Sequence, residues 1–397
     1  MNQKDLPCLW YSFAVRVLVD YRPALRERTG VGEFVHQLAK ALAGQAERDR
    51  NDQIAIFTSS WKDRPAPALA SEMPSVRIID LKVPVRGLVW TWNRLEWPPV
   101  EWLAGSHDVV HSQSPLLIPA THAAQLVTVH DLDFLRHPDQ MSAEIRRDYP
   151  ALARSHAARA HGVIVSSQYA AGEVTRELNL DPSRVHVCPP GRPAWAEDVR
   201  KRRIGSRGRH ILFMGTLSLR KNVGTLLEAY SRLRAKLPDA PPLVLAGHRT
   251  PASARWEARC EQPPLKGHVT ITGYVDSAQK IDLYADALML VLPSYEEGFG
   301  LPVLEAMAGG VPVIVSSRGS LPEVAGPAAA PIDPDDAAGF ARAMQALLEG
   351  EATAAGERGV AQAAKYSWPA CAAAARRAYQ SAIEVRLRGS RFGATSP

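Results

Sequence analysis

The sequence predicts an α/β protein built from two doubly wound domains, each with a parallel sheet and helices on its faces. Short apolar runs rich in β-branched residues alternate with amphipathic helical patterns along the chain, which is typical of parallel strands joined by helices. Residues 199–209 hold six basic side chains and no acidic one, and they separate two such halves. Because this composition is typical of a solvated linker, we interpret the segment as a hinge.

The composition excludes several classes of protein. The chain has 397 residues, of which 46% are hydrophobic and 22% charged, so it is long enough for two or three globular domains and too apolar for a disordered chain. No apolar run reaches the roughly 18 to 20 residues that span a bilayer, and the first residues do not resemble a secretory signal. We therefore expect a cytoplasmic protein with four reduced, structural cysteines (Cys8, Cys188, Cys260 and Cys371).

The formal net charge of +6 comes from one place in the sequence. Both flanking halves are nearly neutral, and the basic excess lies in residues 199–209. A basic run of this kind can contact anionic lipid or nucleic acid, but a charged hinge is the commoner explanation. We predict no nucleic-acid partner.

The apolar runs also give the domain boundaries. We assign the first domain to residues 1–198 and the second to residues 210–368, and we expect a C-terminal helix at about residues 369–388 to pack back on the first domain. The runs predicted as strands are Phe13–Asp20, Gln53–Thr58, Val76–Asp80, Asp108–His111, Leu126–His130, Gly162–Ser166, Arg184–Cys188, His210–Met214, Leu243–Ala246, Val269–Thr272, Leu288–Leu292 and Val311–Val315.

Ligands of doubly wound sheets bind at the carboxyl ends of the strands, so motifs at those ends carry the functional argument. After the first strand, Gly30 and Gly32 precede a helix, and Arg28 lies just before them. Glycines here let backbone N–H groups approach an anion, although a turn that needs a positive φ explains them equally well. The third glycine of a dinucleotide-binding pattern is missing, so no nicotinamide cofactor is predicted.

The fifth predicted strand ends in His130 and Asp131. A histidine at this position can hydrogen-bond a sugar hydroxyl or transfer a proton. The spacing of the neighbouring histidines does not fit a helical metal site. Asp131-Leu132-Asp133 imitates a cation-binding pattern, but a tripeptide this short is common by chance, and we expect no metal.

Two motifs in the second half predict an anion site and a diol site. Arg220 and Lys221 follow a strand and precede a helix, where two cations and the helix dipole suit a diphosphate, although a surface pair is the alternative. Glu297 lies in a glycine-rich loop after a strand, and Glu305 in the following helix. Carboxylates accept hydrogen bonds from the vicinal diols of a sugar or a ribose.

Together these motifs resemble the retaining glycosyltransferases of family 4. The resemblance covers nearly the whole chain and implies the GT-B architecture, in which two Rossmann-like domains face each other across a cleft. The matching residues are Gly30-Val31-Gly32, His130-Asp131, Gly215-Thr216, Arg220-Lys221-Asn222, Gly273-Tyr274-Val275, Glu297 to Glu305, Ser316 to Glu323 and Tyr366-Ser367-Trp368.

The resemblance implies roles for individual residues. Arg220 and Lys221 would bind the donor diphosphate, and Glu305 would bind the ribose. Glu297 would contact the transferred sugar, with His130 beside it. The remaining donor-binding residues would be Gly215, Thr216, Gly298, Phe299, Gly300 and Leu301, while Arg28, Gly30 and Gly32 would form an acceptor or phosphate loop.

The implied reaction is transfer of a hexose, with retention, from a nucleotide-diphosphate sugar to a glycan or lipid-linked acceptor in cell-surface polysaccharide synthesis. The Val129 to Leu132 pattern resembles mannosyltransferases, which makes GDP-mannose the first expectation, and no cofactor or metal is expected. Closure about residues 190–209 would exclude water. The alternatives are a related nucleotide-sugar epimerase or hydrolase, and a catalytically silent sugar-nucleotide-binding protein.

The acceptor side is less defined by the sequence. Residues 85–102 hold four tryptophans together with Arg86 and Arg94. Such a segment can dock at a lipid interface or stack on sugars, or its tryptophans can belong to the core. The segment is therefore a candidate for peripheral contact with the membrane.

Overall fold

The computed structural model describes residues 14–25, 28, 30–49, 52–137, 143–205 and 208–392. The chain divides into two compact units. Of the described residues, those within 14–166, 171–190 and 368–392 form the first unit, and those within 167–170 and 191–367 form the second. Each unit has its own sheet and its own buried apolar cluster.

The sheet of the first unit has seven parallel strands. They are β1 (Arg16–Asp20), β2 (Gln53–Ser59), β3 (Arg77–Leu81), β4 (Val109–Ser112), β5 (Ala124–Thr128), β6 (Gly162–Val165) and β7 (Val185–Val187). Their order is β3-β2-β1-β4-β5-β6-β7, so the direction of winding changes between β1 and β4. The loops that follow these two strands are where a doubly wound sheet offers a ligand site.

Seven helices of the described chain precede β7. They are α1 (Gly30–Asp49), α2 (Ala68–Glu72), α3 (Val85–Leu95), α4 (Glu101–Ala104), α5 (Asp133–Arg136), α6 (Ala143–Arg159) and α7 (Gln168–Leu178). In α1, the predicted helical periodicity is confirmed, since Phe34, Leu38 and Leu42 are all buried on one face. Burial of this stripe holds α1 against the sheet.

The second unit contains a five-stranded parallel sheet. Its elements are α8 (Ala196–Arg203), β8 (His210–Met214), α9 (Val223–Lys236), β9 (Leu243–Ala246), α10 (Ala254–Cys260), β10 (Val269–Gly273), α11 (Ser277–Ala285), β11 (Ala287–Leu292), α12 (Leu301–Ala308), β12 (Val313–Val315), α13 (Leu321–Ala325), α14 (Ala337–Ala346) and α15 (Ala352–Ala363). The strand order is β10-β9-β8-β11-β12. Winding reverses between β8 and β11, which makes the loops after these strands the expected ligand site.

The last helix, α16 (Trp368–Phe392), belongs to the first unit. Cys371, Ala375, Ala378 and Ala382 are buried in the first core. The Trp368 ring lies 6.0 Å from the ring of Phe34 on α1. Small alanine side chains let this helix approach α1 and the sheet closely.

All twelve predicted strands are present, and the differences lie at their ends. The first prediction starts at Phe13, whereas β1 starts at Arg16. The last prediction starts at Val311, whereas β12 starts at Val313. Pro312 has no N–H to donate to the ladder, which explains the later start of β12.

Residues 199–203 of the predicted hinge lie in α8 of the second unit. Arg202 Nη1 donates to Asp282 Oδ1 at 2.9 Å, and Arg203 donates to the Tyr284 and Ala285 carbonyls. Glu197 and Asp198 occupy the first turn and the basic residues the last, an arrangement that complements the helix dipole. The clustered charges therefore stabilise a helix as well as being solvated.

Two further sequence expectations concern membranes and cysteines. Within the ranges that the structure describes, no helix is long and apolar enough to cross a membrane. Cys188, Cys260 and Cys371 are buried, free thiols, and burial raises the pKa of Cys188 to about 12 and that of Cys260 to about 11. Cys8 lies outside the described residues.

Candidate active site

The second unit places Arg220, Lys221 and Glu297 in one cluster at the reversal point of its sheet. Lys221 Nζ donates to Glu297 Oε1, and Arg220 Nη1 lies 3.4 Å from Glu297 Oε2. Ser294 Oγ donates to Glu297 Oε1 at 2.8 Å. Glu297 is only 5% exposed and Lys221 8%, so these charges interact with little screening by solvent.

The electrostatics of the cluster favour the ionised carboxylate. Burial alone would raise the pKa of Glu297, but the charges of Lys221 and Arg220 outweigh burial and hold that pKa below its usual range. Hydrogen bonds from Lys221 and Ser294 add to the same effect. The site therefore presents an ionised carboxylate beside two basic side chains.

A left-handed turn brings the two cations to this position. Arg220 and Lys221 lie in a short 3₁₀ turn that ends at Asn222, whose φ is 53°. Asn222 Nδ2 donates to Pro293 O at 3.2 Å and to Pro334 O at 2.8 Å. Asparagine tolerates this backbone conformation better than most residues. The Asn222 side chain thus ties the loop after β8 to the loop after β11, a role that its place in the motif did not reveal.

Close backbone packing explains the glycines around Glu297. Gly300 directly precedes α12 as its N-cap with a φ of 92°, and a Cβ there would lie 2.6 Å from Leu321 Cδ2. Gly319 has a φ of 65°, and a Cβ there would lie 2.6 Å from Glu297 N. Next to it, Ser320 Oγ donates to Glu297 O at 3.0 Å. The Gly319-Ser320 turn therefore supports the backbone of Glu297.

The other predicted donor-binding residues follow the same two strands, β8 and β11. Gly215 N donates to Ala246 O at 2.8 Å, and Thr216 beside it is exposed. Phe299 is buried and packs edge-to-face on Tyr366 with ring centroids 5.5 Å apart. Gly298 is buried, and Leu301 is the first residue of α12. The Phe299 side chain therefore packs in the interior. The polar groups that residues 298–300 can offer a ligand are those of the backbone.

Glu305 has partners of its own on α11. Its carboxylate accepts from Lys280 Nζ at 2.5 Å and from the Tyr284 hydroxyl at 2.8 Å. Trp195 stacks on Tyr284 with ring centroids 5.4 Å apart, and Lys280 Nζ lies 5.5 Å from the Trp195 ring. Burial raises the pKa of Tyr284 well above its usual value, and Glu305 adds to the increase. Sequence reasoning missed Lys280, Tyr284 and Trp195.

In the first unit, His130 lies just past the end of β5. Its ring packs edge-to-face against Phe34, with centroids 5.3 Å apart, and its buried Nε2 has no hydrogen-bond partner among the described residues. Burial lowers the pKa of His130 to about 4. A hydrogen bond to the Gln113 backbone favours the protonated ring, so the carbonyl is the acceptor. The neutral ring then offers the lone pair of Nε2 to a ligand.

The predicted anion-binding loop of the first unit is not a positive-φ turn. Gly30 and Gly32 lie in the first turn of α1, so a strained turn does not account for them. Arg28 Nη1 lies 3.9 Å from Glu72 Oε2, and His36 Nε2 lies 3.2 Å from the same oxygen. Burial, together with Arg28, lowers the pKa of His36 to about 4.

Arg22 is a further basic residue at this end of the first sheet, and its place in the sequence favours an anion site. It follows β1, and its guanidinium makes two 2.8 Å hydrogen bonds to Asp20. It also lies 5.0 Å from the ring of Trp92. Its Nη1 is buried without a partner among the described residues. A buried donor at the reversal point of the first sheet is available to an anionic or hydroxylated ligand.

Comparisons with known proteins agree with this architecture. The profile of Glycosyl transferases group 1 matches residues 196–364, and that of a Glycosyl transferase 4-like domain matches residues 29–191. The chain is 30% identical to O-antigen chain mannosyltransferase B of Escherichia coli, over 92% of this chain and all of the relative. It is 23% identical to a D-inositol 3-phosphate glycosyltransferase of Corynebacterium kroppenstedtii, over 86% and 85%.

Solved structures share the fold. Sucrose-phosphate synthase from Thermosynechococcus elongatus superposes with a TM-score of 0.68 at 20% identity, over 96% of this chain and 100% of that one. WaaG, a glycosyltransferase involved in lipopolysaccharide biosynthesis, gives 0.65 at 17% identity, over 89% and 97%. The chain therefore belongs to the group 1, family 4-like glycosyltransferases, it has their GT-B fold, and it is a hexosyltransferase.

Proposed function

We propose that this glycosyltransferase moves mannose, with retention, from GDP-mannose to a glycan acceptor in the synthesis of an O-antigen-like polysaccharide. The observation that carries the donor assignment is the buried cluster of Arg220, Lys221 and Glu297 at the sheet's reversal point. Support for mannose comes from the full-length likeness to an O-antigen chain mannosyltransferase.

The cluster suits a diphosphate sugar because its charged side chains can exchange their ion-pair partners for groups of the donor. Without donor, Lys221 and Arg220 balance the charge of Glu297. A diphosphate that binds the two cations releases the Glu297 carboxylate to accept hydrogen bonds from sugar hydroxyls. As the glycosidic bond breaks, charge gathers on the leaving diphosphate, and fixed cations stabilise that charge.

His130 and Glu305 complete the proposed donor contacts. The unpartnered Nε2 of His130 accepts a hydrogen bond from a hydroxyl of the transferred sugar. Glu305 accepts from the ribose hydroxyls, and Lys280 and Tyr284 hold its carboxylate in place. The diphosphate contacts rely on Arg220 and Lys221 instead of a divalent cation.

The acceptor is a glycan or a lipid-linked glycan at the cytoplasmic face of the membrane. Arg86 and Trp90 lie four residues apart on α3, and both are exposed, Trp90 by 59%. Exposed Lys82 precedes the helix. Cations beside an exposed tryptophan are typical of a surface that touches anionic lipid. This part of the chain is the proposed membrane contact, and Arg86→Glu should reduce co-sedimentation with anionic vesicles.

Turnover assays with several nucleotide sugars test the function. GDP-mannose with a mannose oligosaccharide should give a longer oligosaccharide and GDP, and the new bond should keep the anomeric configuration of the donor. Release of free mannose without extension would indicate a hydrolase, and conversion of the donor sugar would indicate an epimerase. Donor binding without any turnover would indicate a silent binding protein.

A further inference from the structure

A cavity of about 370 Å³ lies in the first unit, away from His130. It is lined by residues that include Glu96, Gln125, His156 and Arg159. Gln125 is the second residue of β5, and His130 lies beyond the other end of that strand. Five residues of extended chain span roughly 16 Å. A ligand in the cavity therefore does not occupy the place of a sugar at His130.

The lining of the cavity offers both hydrogen-bond donors and acceptors. His156 Nδ1 accepts from Leu117 N at 2.9 Å, and burial lowers the pKa of His156, so the neutral ring carries its proton on Nε2 as a donor. Gln125 Nε2 donates to Ile118 O at 2.7 Å, which leaves its Oε1 as an acceptor. Thr121 adds a hydroxyl that can do both.

The charges of the lining compensate each other. The Arg159 guanidinium donates to both oxygens of Glu96, at 3.1 and 2.6 Å. The lining is therefore neutral overall when His156 is neutral. A neutral, hydrogen-bonding cavity with a Trp92 wall suits an uncharged polyol better than a phosphate or an anionic lipid.

Two exposed tryptophans lie next to this cavity in the chain. Trp97 is 54% exposed and Trp102 is 71% exposed, and their rings meet edge-to-face with centroids 6.0 Å apart. Trp97 stands between the lining residues Glu96 and Pro99. Glu101 Oε1, beside Trp102, accepts from the Thr121 N–H at 2.8 Å. Exposed aromatic faces at a polar cavity are well suited to stack on the apolar face of a sugar ring.

We infer that the cavity of Glu96, Gln125, His156 and Arg159, with Trp97 and Trp102 at its side, binds a neutral oligosaccharide. The occupant is a segment of the acceptor glycan remote from the sugar that reacts. This inference rests on the proposed function, since it assumes a glycan acceptor. It predicts that affinity for the acceptor increases with the length of its chain.

Calorimetric titration of the whole chain with mannose oligosaccharides of increasing length, without donor, tests the inference. Longer oligosaccharides should bind more tightly than mannobiose. Trp97→Ala and Trp102→Ala should each weaken binding of the long probe by about twofold to tenfold, and Thr121→Val should act in the same direction through its lost hydroxyl. Trp90→Ala and Trp61→Ala remove other exposed tryptophans and should leave this binding unchanged.

Three outcomes would overturn the inference. The first is affinity that does not depend on chain length, and the second is equal losses in the Trp90→Ala and Trp102→Ala variants. The third is a Trp102→Ala defect seen with anionic vesicles but not with oligosaccharides, which would assign the surface to lipid. Length-dependent binding without any transfer would contradict the proposed function alone, whereas transfer with length-independent binding would contradict this inference alone.

Discussion

Lys280 and Glu305 form an ion pair between neighbouring helices of the second unit, with Lys280 Nζ 2.5 Å from Glu305 Oε1. Glu305 is buried, and Tyr284 donates to its other oxygen. A buried carboxylate that lost both partners would retain a large desolvation cost. Lys280 and Tyr284 therefore fix the position of the Glu305 carboxylate.

The first prediction distinguishes the roles of the Glu305 and Glu297 carboxylates. Glu305→Ala should weaken binding of free GDP by roughly tenfold to a hundredfold, because charged hydrogen bonds to the ribose are lost. Glu297→Ala should weaken mainly the binding of intact GDP-mannose, because in the proposed function Glu297 contacts the sugar and not the nucleotide. Titration of both ligands into both variants gives the comparison. Equal losses of GDP affinity would refute this division of roles.

A second prediction concerns the two cations of the donor cluster. Arg220→Ala and Lys221→Ala should each lower kcat by about tenfold to a hundredfold, since each loses charge-assisted contacts that strengthen as the diphosphate leaves. Lys221→Arg should recover part of the loss because it keeps the charge beside Glu297. Arg232→Ala removes an exposed arginine of α9 and serves as the control. Wild-type turnover in the double variant would exclude the cluster from catalysis.

The third prediction tests the backbone of the Glu297 loop. Gly300→Ala should lower the free energy of unfolding by about 1 to 3 kcal/mol, because its φ is positive and the new Cβ would meet Leu321. Gly87→Ala in α3 is a matched control, since a Cβ there meets nothing within 4 Å, and it should be neutral or slightly stabilising. Urea unfolding of both variants measures the difference. A smaller loss for Gly300→Ala than for Gly87→Ala would contradict the strain argument.

Local patterns account for what the sequence predicts well. The run His210–Met214 is entirely buried, and a short apolar run between turn residues identifies such a strand without knowledge of its neighbours. No local pattern explains why position 319 is a glycine. A Cβ there would clash with the backbone of Glu297, which becomes its neighbour only in the folded chain. The sequence around Lys280 does not distinguish it from a surface lysine of a helix. Its role depends on the packing of α11 against α12, which no local pattern encodes.

A similar limit applies to the tryptophans of residues 85–102. The sequence left open whether they are core or surface, and the structure divides them. Trp92 is buried, and its Nε1 donates to Pro98 O at 3.0 Å, whereas Trp90, Trp97 and Trp102 are exposed. Helical spacing alone does not say which face of α3 the sheet covers. The burial of Leu88 and Trp92 decides it.

The fourth prediction is a dependence of stability on pH. Burial lowers the pKa of His36 and of His130 to about 4 and that of His111 to about 3. Between about pH 6.5 and pH 4, the unfolded chain takes up protons that the folded chain does not, so stability decreases as the pH falls and recovers as it rises. Each fully shifted ring should lower the free energy of unfolding by about 1.5 kcal/mol between pH 6.5 and pH 5.

Urea unfolding at several pH values measures this slope. His130→Gln should make the decrease toward low pH shallower, because one depressed titration is removed. His122→Gln changes an exposed ring and should leave the slope unchanged. A slope that is the same in the His130→Gln variant and the unmodified chain would show that His130 does not carry the predicted shift.

The last prediction is that transfer needs no divalent metal, although Asp131-Leu132-Asp133 imitates a metal-binding pattern. Arg220 and Lys221 lie in the short turn just before α9 in the second unit, whereas both aspartates belong to the first unit. Asp131 Oδ1 accepts from Asp133 N at 3.2 Å, and Asp133 Oδ1 lies 2.9 Å from His137 Nδ1, so both carboxylates take part in local structure.

A metal-dependent transferase would instead need carboxylates near the diphosphate to hold its cation, and would have less need of adjacent basic side chains. Turnover should therefore survive excess EDTA, and Asp133→Asn should leave the affinity for GDP-mannose nearly unchanged. Assays with and without the chelator, followed by addition of Mg²⁺ or Mn²⁺, make the comparison. If chelation abolishes activity and either ion restores it, a metal and not the pair of Arg220 and Lys221 stabilises the leaving diphosphate.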